Sequence, residues 1–322
     1  MKKIYILGAA GFLGSHLEHR LKAEGHYVVS VARKLPPFRK SVADELNFLD
    51  LTNPADFHSH FFRHSFDEVY QLAGNVGGLG HIAVGDNDAA ILTESTKINL
   101  HTLEAITRTQ SAGKILFASS QCVYPDIIED GEHSPPAEED ASFNTFPFAQ
   151  EKLYAEKLYD AYARNHGLKI AIARLGNIYG PYSTYDGARA KAPAAICRKV
   201  AQASYGGTVE LWGDGTQTRS FTYVDNAIEG MIRLMAADYP GPVNIAHSET
   251  VTIAELFDSV LRVAGKILAP KWIDGPTGVM ARGSDNTLCR SVLQWEPTTS
   301  LFNGLSETYH WIAKQVLTKA NA

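Results

Sequence analysis

The sequence predicts an α/β fold, a doubly wound parallel sheet with a smaller C-terminal lobe, and three observations predict it. Short apolar runs alternate with amphipathic segments through the first two-thirds of the chain. A glycine-rich loop follows the first run directly. After Gly176 the alternation gives way to clustered Gly, Tyr and Pro. Strand and helix repeated in this way build a parallel sheet with helices on both faces.

Taken in order, residues 4–7, 27–31, 68–72, 115–118 and 170–173 read as strands buried on both sides, because their apolar character does not alternate. Another strand is expected to end near Phe48, before Asp50. Helical patterns span residues 11–24, 54–62, 91–109 and 147–166. Beyond them, helices are expected at 193–203, 225–236, 252–264 and 301–319, with a further core strand at 242–245. The expected division is a sheet domain over 1–176, rejoined by 223–248, and a lobe made of 177–222 and 249–322.

Composition narrows the class. The 322 residues are 45% hydrophobic and 20% charged, with a formal net charge of −5, a profile of soluble globular proteins. Slight acidity without a basic run argues against a nucleic-acid partner. The apolar run after Lys2 and Lys3 stops at Gly8, too short for a signal segment, and no stretch is long enough to span a membrane, so a cytoplasmic protein is expected. Three widely spaced cysteines (Cys122, Cys197, Cys289) fit neither a disulfide framework nor zinc spacing. The histidines are scattered. His58, His60 and His64 fall near one another without a supporting acid, and no metal site is expected.

The loop Gly8-Ala9-Ala10-Gly11-Phe12-Leu13-Gly14 lies between the first strand and the first helix. Small residues there let backbone approach a pyrophosphate, and the helix N-terminus offers unpaired N–H groups and positive potential. A Rossmann-type dinucleotide site is the reading. Its cofactor-lining set is Gly8, Gly11, Phe12, Leu13 and Gly14, with Asp50 and Leu51 after the third strand and Leu72 and Ala73 after the fourth. An NAD enzyme places an acid after the second strand to accept from the ribose 2′-hydroxyl. This chain has Arg33 and Lys34, cations suited to a 2′-phosphate, so NADP is expected first and NAD second.

Two further stretches carry chemistry, Ser119-Ser120-Gln121-Cys122-Val123-Tyr124-Pro125 after a strand and Phe146-Pro147-Phe148-Ala149-Gln150-Glu151-Lys152 at a helix start. With the glycine loop and Gly176-Asn177-Ile178-Tyr179-Gly180-Pro181, they resemble the extended short-chain dehydrogenases that modify nucleotide sugars. The likeness is nearest to the GDP-mannose 3,5-epimerase family. It extends through Gly74 to Gly80, Arg189 to Lys199, Trp212 to Phe221 and Gly275 to Asn286.

That resemblance implies that the dinucleotide takes hydride from sugar C4, which acidifies the hydrogens at C3 and C5. One residue then removes a proton from one face, and another returns it from the opposite face. Cys122 and Lys191 match the family's acid/base pair, Ser120 its C4-oxygen partner and Lys152 the lysine that holds the nicotinamide ribose. Gly77, Gly78, Asn177, Lys199, Gln217, Arg219 and Arg282 match substrate-binding positions near the sugar, diphosphate and base. The implied partners are a GDP-linked sugar and a second copy of the chain, joined through residues 91–109 and 147–166.

One position departs from the family. The active tyrosine, four residues before the lysine, is Phe148 here. A phenylalanine keeps the ring and lacks the exchangeable proton, so hydride transfer at C4 is expected to be impaired. Either a substitution that traps bound sugar nucleotide or a natural phenylalanine in a specialised enzyme fits. The competing readings are a 4-keto sugar reductase or epimerase-reductase using NADPH, and a catalytically silent dinucleotide sensor.

Overall fold

The computed structural model describes residues 1–55, 65–125, 137–142 and 146–320, with side chains through 318. The strand β1 (Lys3–Leu7) leads into helix α1 (Phe12–Ala23), and β2 (Tyr27–Ala32), β3 (Glu45–Phe48) and β4 (Phe66–Gln71) follow. A short helix α2 (Leu79–Ile82), a long one α3 (Asp88–Thr109) and β5 (Ala112–Ser120) come next. Helix α4 (Pro147–His166) precedes β6 (Ile170–Leu175) and β7 (Asn177–Tyr179). The expected helix over 54–62, with His58, His60 and His64, falls mostly outside the described residues.

A seven-stranded sheet forms in the order β10-β6-β5-β4-β1-β2-β3, every pairing parallel, where β10 is Pro242–Ile245. Ile4, Ile6, Val28 and Leu116 face one layer with Leu17, Leu21, Ile228 and Met231, while Tyr5, Leu7, Val29 and Phe117 face the other with Leu103, Ile106 and Tyr159. Both faces of β1 are thus sealed by helices, which is why its residues are uniformly apolar and not alternating. Each such Leu or Ile contributes on the order of 2 kcal/mol by burial. Pro242 opens β10 at the sheet edge, a position where its missing N–H costs no ladder bond.

The remaining elements are α5 (Ala192–Gln202), β8 (Thr208–Trp212), β9 (Thr218–Tyr223) and α6 (Val224–Ala236), then β11 (Thr250–Thr252) and α7 (Ile253–Ala264). The chain closes with β12 (Ala269–Ile273), β13 (Ala281–Arg282), α8 (Thr287–Leu293) and α9 (Leu301–Ala320). Ile196, Cys197 and Val200 of α5 pack on Leu256, Phe257 and Val260 of α7 and on Leu305 and Ile312 of α9, a core separate from the sheet's. Strand β9 pairs with β7, β11 and β13, and β8 pairs with β12. Residues after β1, β4, β5 and β6 therefore leave the large sheet at one edge, facing this second core's strands and loops. Ligands of open α/β sheets bind at that carboxyl edge.

Candidate active site

At the end of β1 the backbone turns sharply. Gly8 adopts φ of +85°, a conformation costly for any side chain, and a Cβ there would lie 2.8 Å from the Ala73 nitrogen. A Cβ on Gly14 would lie 2.3 Å from the Gly8 carbonyl oxygen and 2.7 Å from the Ala9 Cα. The two glycines let the loop, the helix and the end of β4 meet backbone to backbone. Gly11 is the N-cap of α1 and supplies no side-chain cap, so the first-turn amides at Phe12, Leu13 and Gly14 point outward with no intrahelical acceptor.

The second and third strand ends lie beside this loop. Arg33 and Lys34 are exposed. The Arg33 guanidinium reaches to 4.0 Å from Glu94. Asp50 Oδ1 accepts from the Thr52 amide at 3.0 Å and hydroxyl at 2.8 Å. Those bonds, with the charge of Arg33, hold its carboxyl below the usual range. Leu51 is buried beneath it. Leu72 donates from its amide to the Leu7 carbonyl at 3.1 Å, and the Ala73 amide donates to Gln71 Oε1 at 2.9 Å.

The residues expected to react lie at the end of β5, on α4 and at the start of α5. Ser120 ends β5, and its Oγ accepts from the Cys122 amide at 3.1 Å, capping a 3₁₀ turn over Gln121–Val123. Phe148 and Lys152 occupy successive turns of α4, both buried. The Lys152 ammonium lies 5.0 Å from the Phe117 ring centre and 3.6 Å from Glu151 Oε2. Glu151 Oε1 accepts from Asn99, whose Oδ1 accepts from Gln71, so one buried chain links Lys152 to the Leu72-Ala73 turn. A Cβ on Gly74 would lie 3.7 Å from the Lys152 nitrogen.

Lys191 is the N-cap of α5. Its side chain is exposed, yet desolvation by the surrounding protein lowers its pKa, and the Cys122 sulfur acts in the opposite sense, raising it. Residues separated by most of a domain in sequence are electrostatic neighbours. Gly78 makes this approach possible, since a Cβ there would stand 2.2 Å from the Ala190 carbonyl oxygen. A Cβ on Gly77 would stand 2.9 Å from the His81 Cβ.

The NAD dependent epimerase/dehydratase family pattern matches residues 4–246, most of the chain. The chain belongs to that family. GDP-mannose 3,5-epimerase 1 of Oryza sativa subsp. indica is 38% identical over 98% of this chain and 82% of its own length. A GDP-mannose 3,5-epimerase of Arabidopsis thaliana is likewise 38% identical, with 98% and 83% covered. Among solved structures, a tyrosine-to-phenylalanine mutant of Bacillus cereus UDP-glucuronic acid 4-epimerase, in complex with UDP-4-deoxy-4-fluoro-glucuronic acid and NAD, is 26% identical. It superposes with a TM-score of 0.83 over 97% of this chain and 99% of its own.

In this family member the fit to a dinucleotide rests on the Gly8, Gly14 and Ala73 crossing: a Cβ at Gly8 or Gly14 would strike backbone and push the loop away from the α1 amides. The expected substrate residues are placed as follows. Asn177 Nδ2 donates to the Ser220 carbonyl at 3.0 Å, and Lys199 Nζ donates to the Glu210 carbonyl at 2.6 Å. Burial and the charge of Arg198 lower the Lys199 pKa. Gln217 donates to Asp214 Oδ1 at 3.0 Å. Arg219 donates to the carbonyls of Thr277 and Val279 and so staples the 277–280 loop to β9. Arg282 Nη1 donates to the Tyr124 carbonyl at 3.1 Å, two residues from Cys122.

Several of the neighbouring loops lie directly against one another. Gly278 touches Leu79 and Arg219, Gly275 and Gly80 touch the Trp212 indole, and Gly78 touches the turn before Lys191. Sequence reasoning gave no role to Trp212, whose ring is partly exposed on this wall, or to Asn75, His81, Glu151 and Arg189. Trp212 and Arg189 sit inside the strings that carried the resemblance, and no periodicity marks them. Glu151 could not be found from charge pattern, because its partner is its chain neighbour. Among the described residues no helix is long and apolar enough to cross a membrane, and no group of three or more His, Cys, Asp or Glu could hold a metal.

Proposed function

We propose that the protein is a nucleotide-sugar epimerase that inverts C3 and/or C5 of a GDP-mannose-like hexose through a 4-keto intermediate, with Phe148 slowing its redox step. The packing of the Gly77-Gly78 turn against the residues leading into Lys191, with Cys122 close enough to act on the amine electrostatically, carries the reading. A thiol and an amine placed on different walls can serve opposite ring faces, and the lowered pKa brings the amine toward a range where it can both accept and donate. Bound on the α1 loop, the dinucleotide supplies hydride removal and return at C4. Ser120 offers its hydroxyl to the C4 oxygen, and Lys152 holds the nicotinamide ribose. Lys199, Gln217, Arg219 and Arg282, with Asn177 and the Gly77-Gly78 turn, receive the nucleotide diphosphate and sugar. Arg33 and Lys34 favour NADP(H) over NAD. The lobe formed by residues 177–222 and 249–322 closes over the sugar, and α3 with α4 joins two copies.

Incubation of a Phe148→Tyr form with GDP-mannose tests this. Epimers are expected with catalytic NADP⁺ and no net change in the dinucleotide; no epimer from GDP-mannose, together with stoichiometric NADPH oxidation when a GDP-4-keto-hexose is supplied, would overturn it. A second reading, a reductase of 4-keto sugars, draws on the Arg33-Lys34 pair. It also draws on a dTDP-4-dehydro-6-deoxy-D-allose reductase of Streptomyces bikiniensis that is 29% identical over 96% of both chains.

A further inference from the structure

Two backbones cross at the mouth of the cleft, and one side chain fastens them. Arg189 Nη1 donates to the Val76 carbonyl at 2.8 Å, and its Nη2 donates to Asn75 Oδ1 at 3.0 Å. The Gly78 amide returns a bond of 3.0 Å to the Arg189 carbonyl. Asn75 is itself held, by the Ser95 hydroxyl on its amide at 3.1 Å and by His81 Nε2–H on Oδ1 at 2.8 Å. The fork geometry of a guanidinium suits this double contact, whereas an ammonium offers a single point of charge.

We propose that Arg189 is a positioning residue that fixes residues 188–191 to the loop 75–80 and so sets the reach of Lys191 across the cleft from Cys122. Lys191 follows the clasp by two residues in an extended conformation, and its carbonyl accepts from the Ala195 amide at 2.9 Å. Its backbone is therefore held on both sides, by the clasp before it and by α5 after it. Gly78 and Gly80 allow this contact, their missing Cβ positions falling 2.2 Å from the Ala190 oxygen and 3.2 Å from the Ala188 oxygen. Arg189 is exposed and belongs to no apolar cluster. Its loss acts on the placement of the loop and leaves the cores intact. A displacement of about 1 Å at a catalytic group can cost ~10²-fold in rate.

The inference rests on the epimerase reading, and the test separates the two. In the Phe148→Tyr form, Arg189→Ala and Arg189→Lys are assayed in D₂O with GDP-mannose and with its 3,5-epimer, following deuterium uptake and inversion separately. With Lys191 displaced, the face served by Cys122 still exchanges. From one epimer, uptake is expected to stay within about threefold of the parent while inversion falls ~10²-fold. From the other epimer, both fall. Parallel loss from both epimers, or no loss, overturns the clasp. If the Phe148→Tyr parent inverts neither sugar, the epimerase reading fails by itself. The pH midpoint of Lys191 acylation by acetic anhydride, read by mass spectrometry, then decides: a rise toward an ordinary lysine in Arg189→Ala supports the clasp, and an unchanged midpoint sinks it.

Discussion

The Lys152 ammonium stands 5.8 Å from the centre of the Phe148 ring, one turn along the same face of α4. An aromatic ring and a cation in that relation would, with a hydroxyl on the ring, make a phenol whose anion the ammonium stabilises. Phe148 supplies the shape without the proton. Restoring tyrosine is expected to raise the rate of C4 hydride transfer by ~10²–10⁴-fold, read as the rate of epimer formation. A gain of less than threefold would mean that another group performs this proton transfer.

Lys191 gives a pH prediction with a definite sign. Desolvation by the surrounding protein favours its neutral form, so its amine is expected to become reactive at lower pH than an ordinary surface lysine. The neighbouring Cys122 sulfur opposes this by favouring the ammonium. Cys122→Ala should therefore shift the Lys191 acylation midpoint further down, and a shift upward would contradict the proposed proximity.

Gly14 leaves no room for a methyl group, because a Cβ would lie 2.3 Å from the Gly8 oxygen. Overpacking of this kind costs about 1–3 kcal/mol. Gly14→Ala is expected to lower the urea midpoint and to weaken dinucleotide binding at least tenfold. A variant that binds both NAD and NADP like the parent would show that the loop does not hold the pyrophosphate.

The preference between dinucleotides should reside in Arg33 and Lys34. The double Ala variant is expected to lose about tenfold in affinity for NADP, ~1.4 kcal/mol, and to keep NAD affinity within twofold. Equal losses for both cofactors, measured by fluorescence titration, would show that Arg33 serves only as the partner of Glu94.

Beside the paired ends of β5 and β6, Arg174 donates to both carboxylate oxygens of Glu156, at 2.9 and 2.7 Å, with both side chains buried. Removing one partner of a buried pair leaves the other uncompensated, at about 3–5 kcal/mol. Glu156→Gln should therefore fall in that range by urea unfolding, and a change under 1 kcal/mol would mean the network reorganises easily.

The strands of the large sheet and most helices were legible because burial on both faces removes polar residues from β1, β2, β5 and β6, and because helix periodicity survives in α4 and α6; the short strands β7, β8, β9, β11, β12 and β13 were not. Helix α4 spans Pro147–His166 as the pattern indicated, bounded by Pro147 at its start and Gly167 in a left-handed conformation after it. The short α2 escaped notice, since four residues carry too little periodicity to register. The paired roles of Cys122 and Lys191 came from resemblance, while the crossing of residues 188–191 with the loop 75–80 was not legible. Arg189 reads in sequence as a surface cation, and its acceptors, Val76 and Asn75, lie on a loop more than a hundred residues earlier.

By itself the sequence determined the parallel sheet, the glycine turn at the head of α1 and the identity of the ring before Lys152, because each depends on residues close together along the chain. Only the tertiary structure decided which groups face one another: Glu151 with Asn99, Arg282 with Tyr124, Lys191 with Cys122, and Arg189 with Asn75 and Val76. Those relations arise where loops from four strand ends meet at one edge of the sheet. Their distances are set by the packing of two cores, which no local pattern encodes.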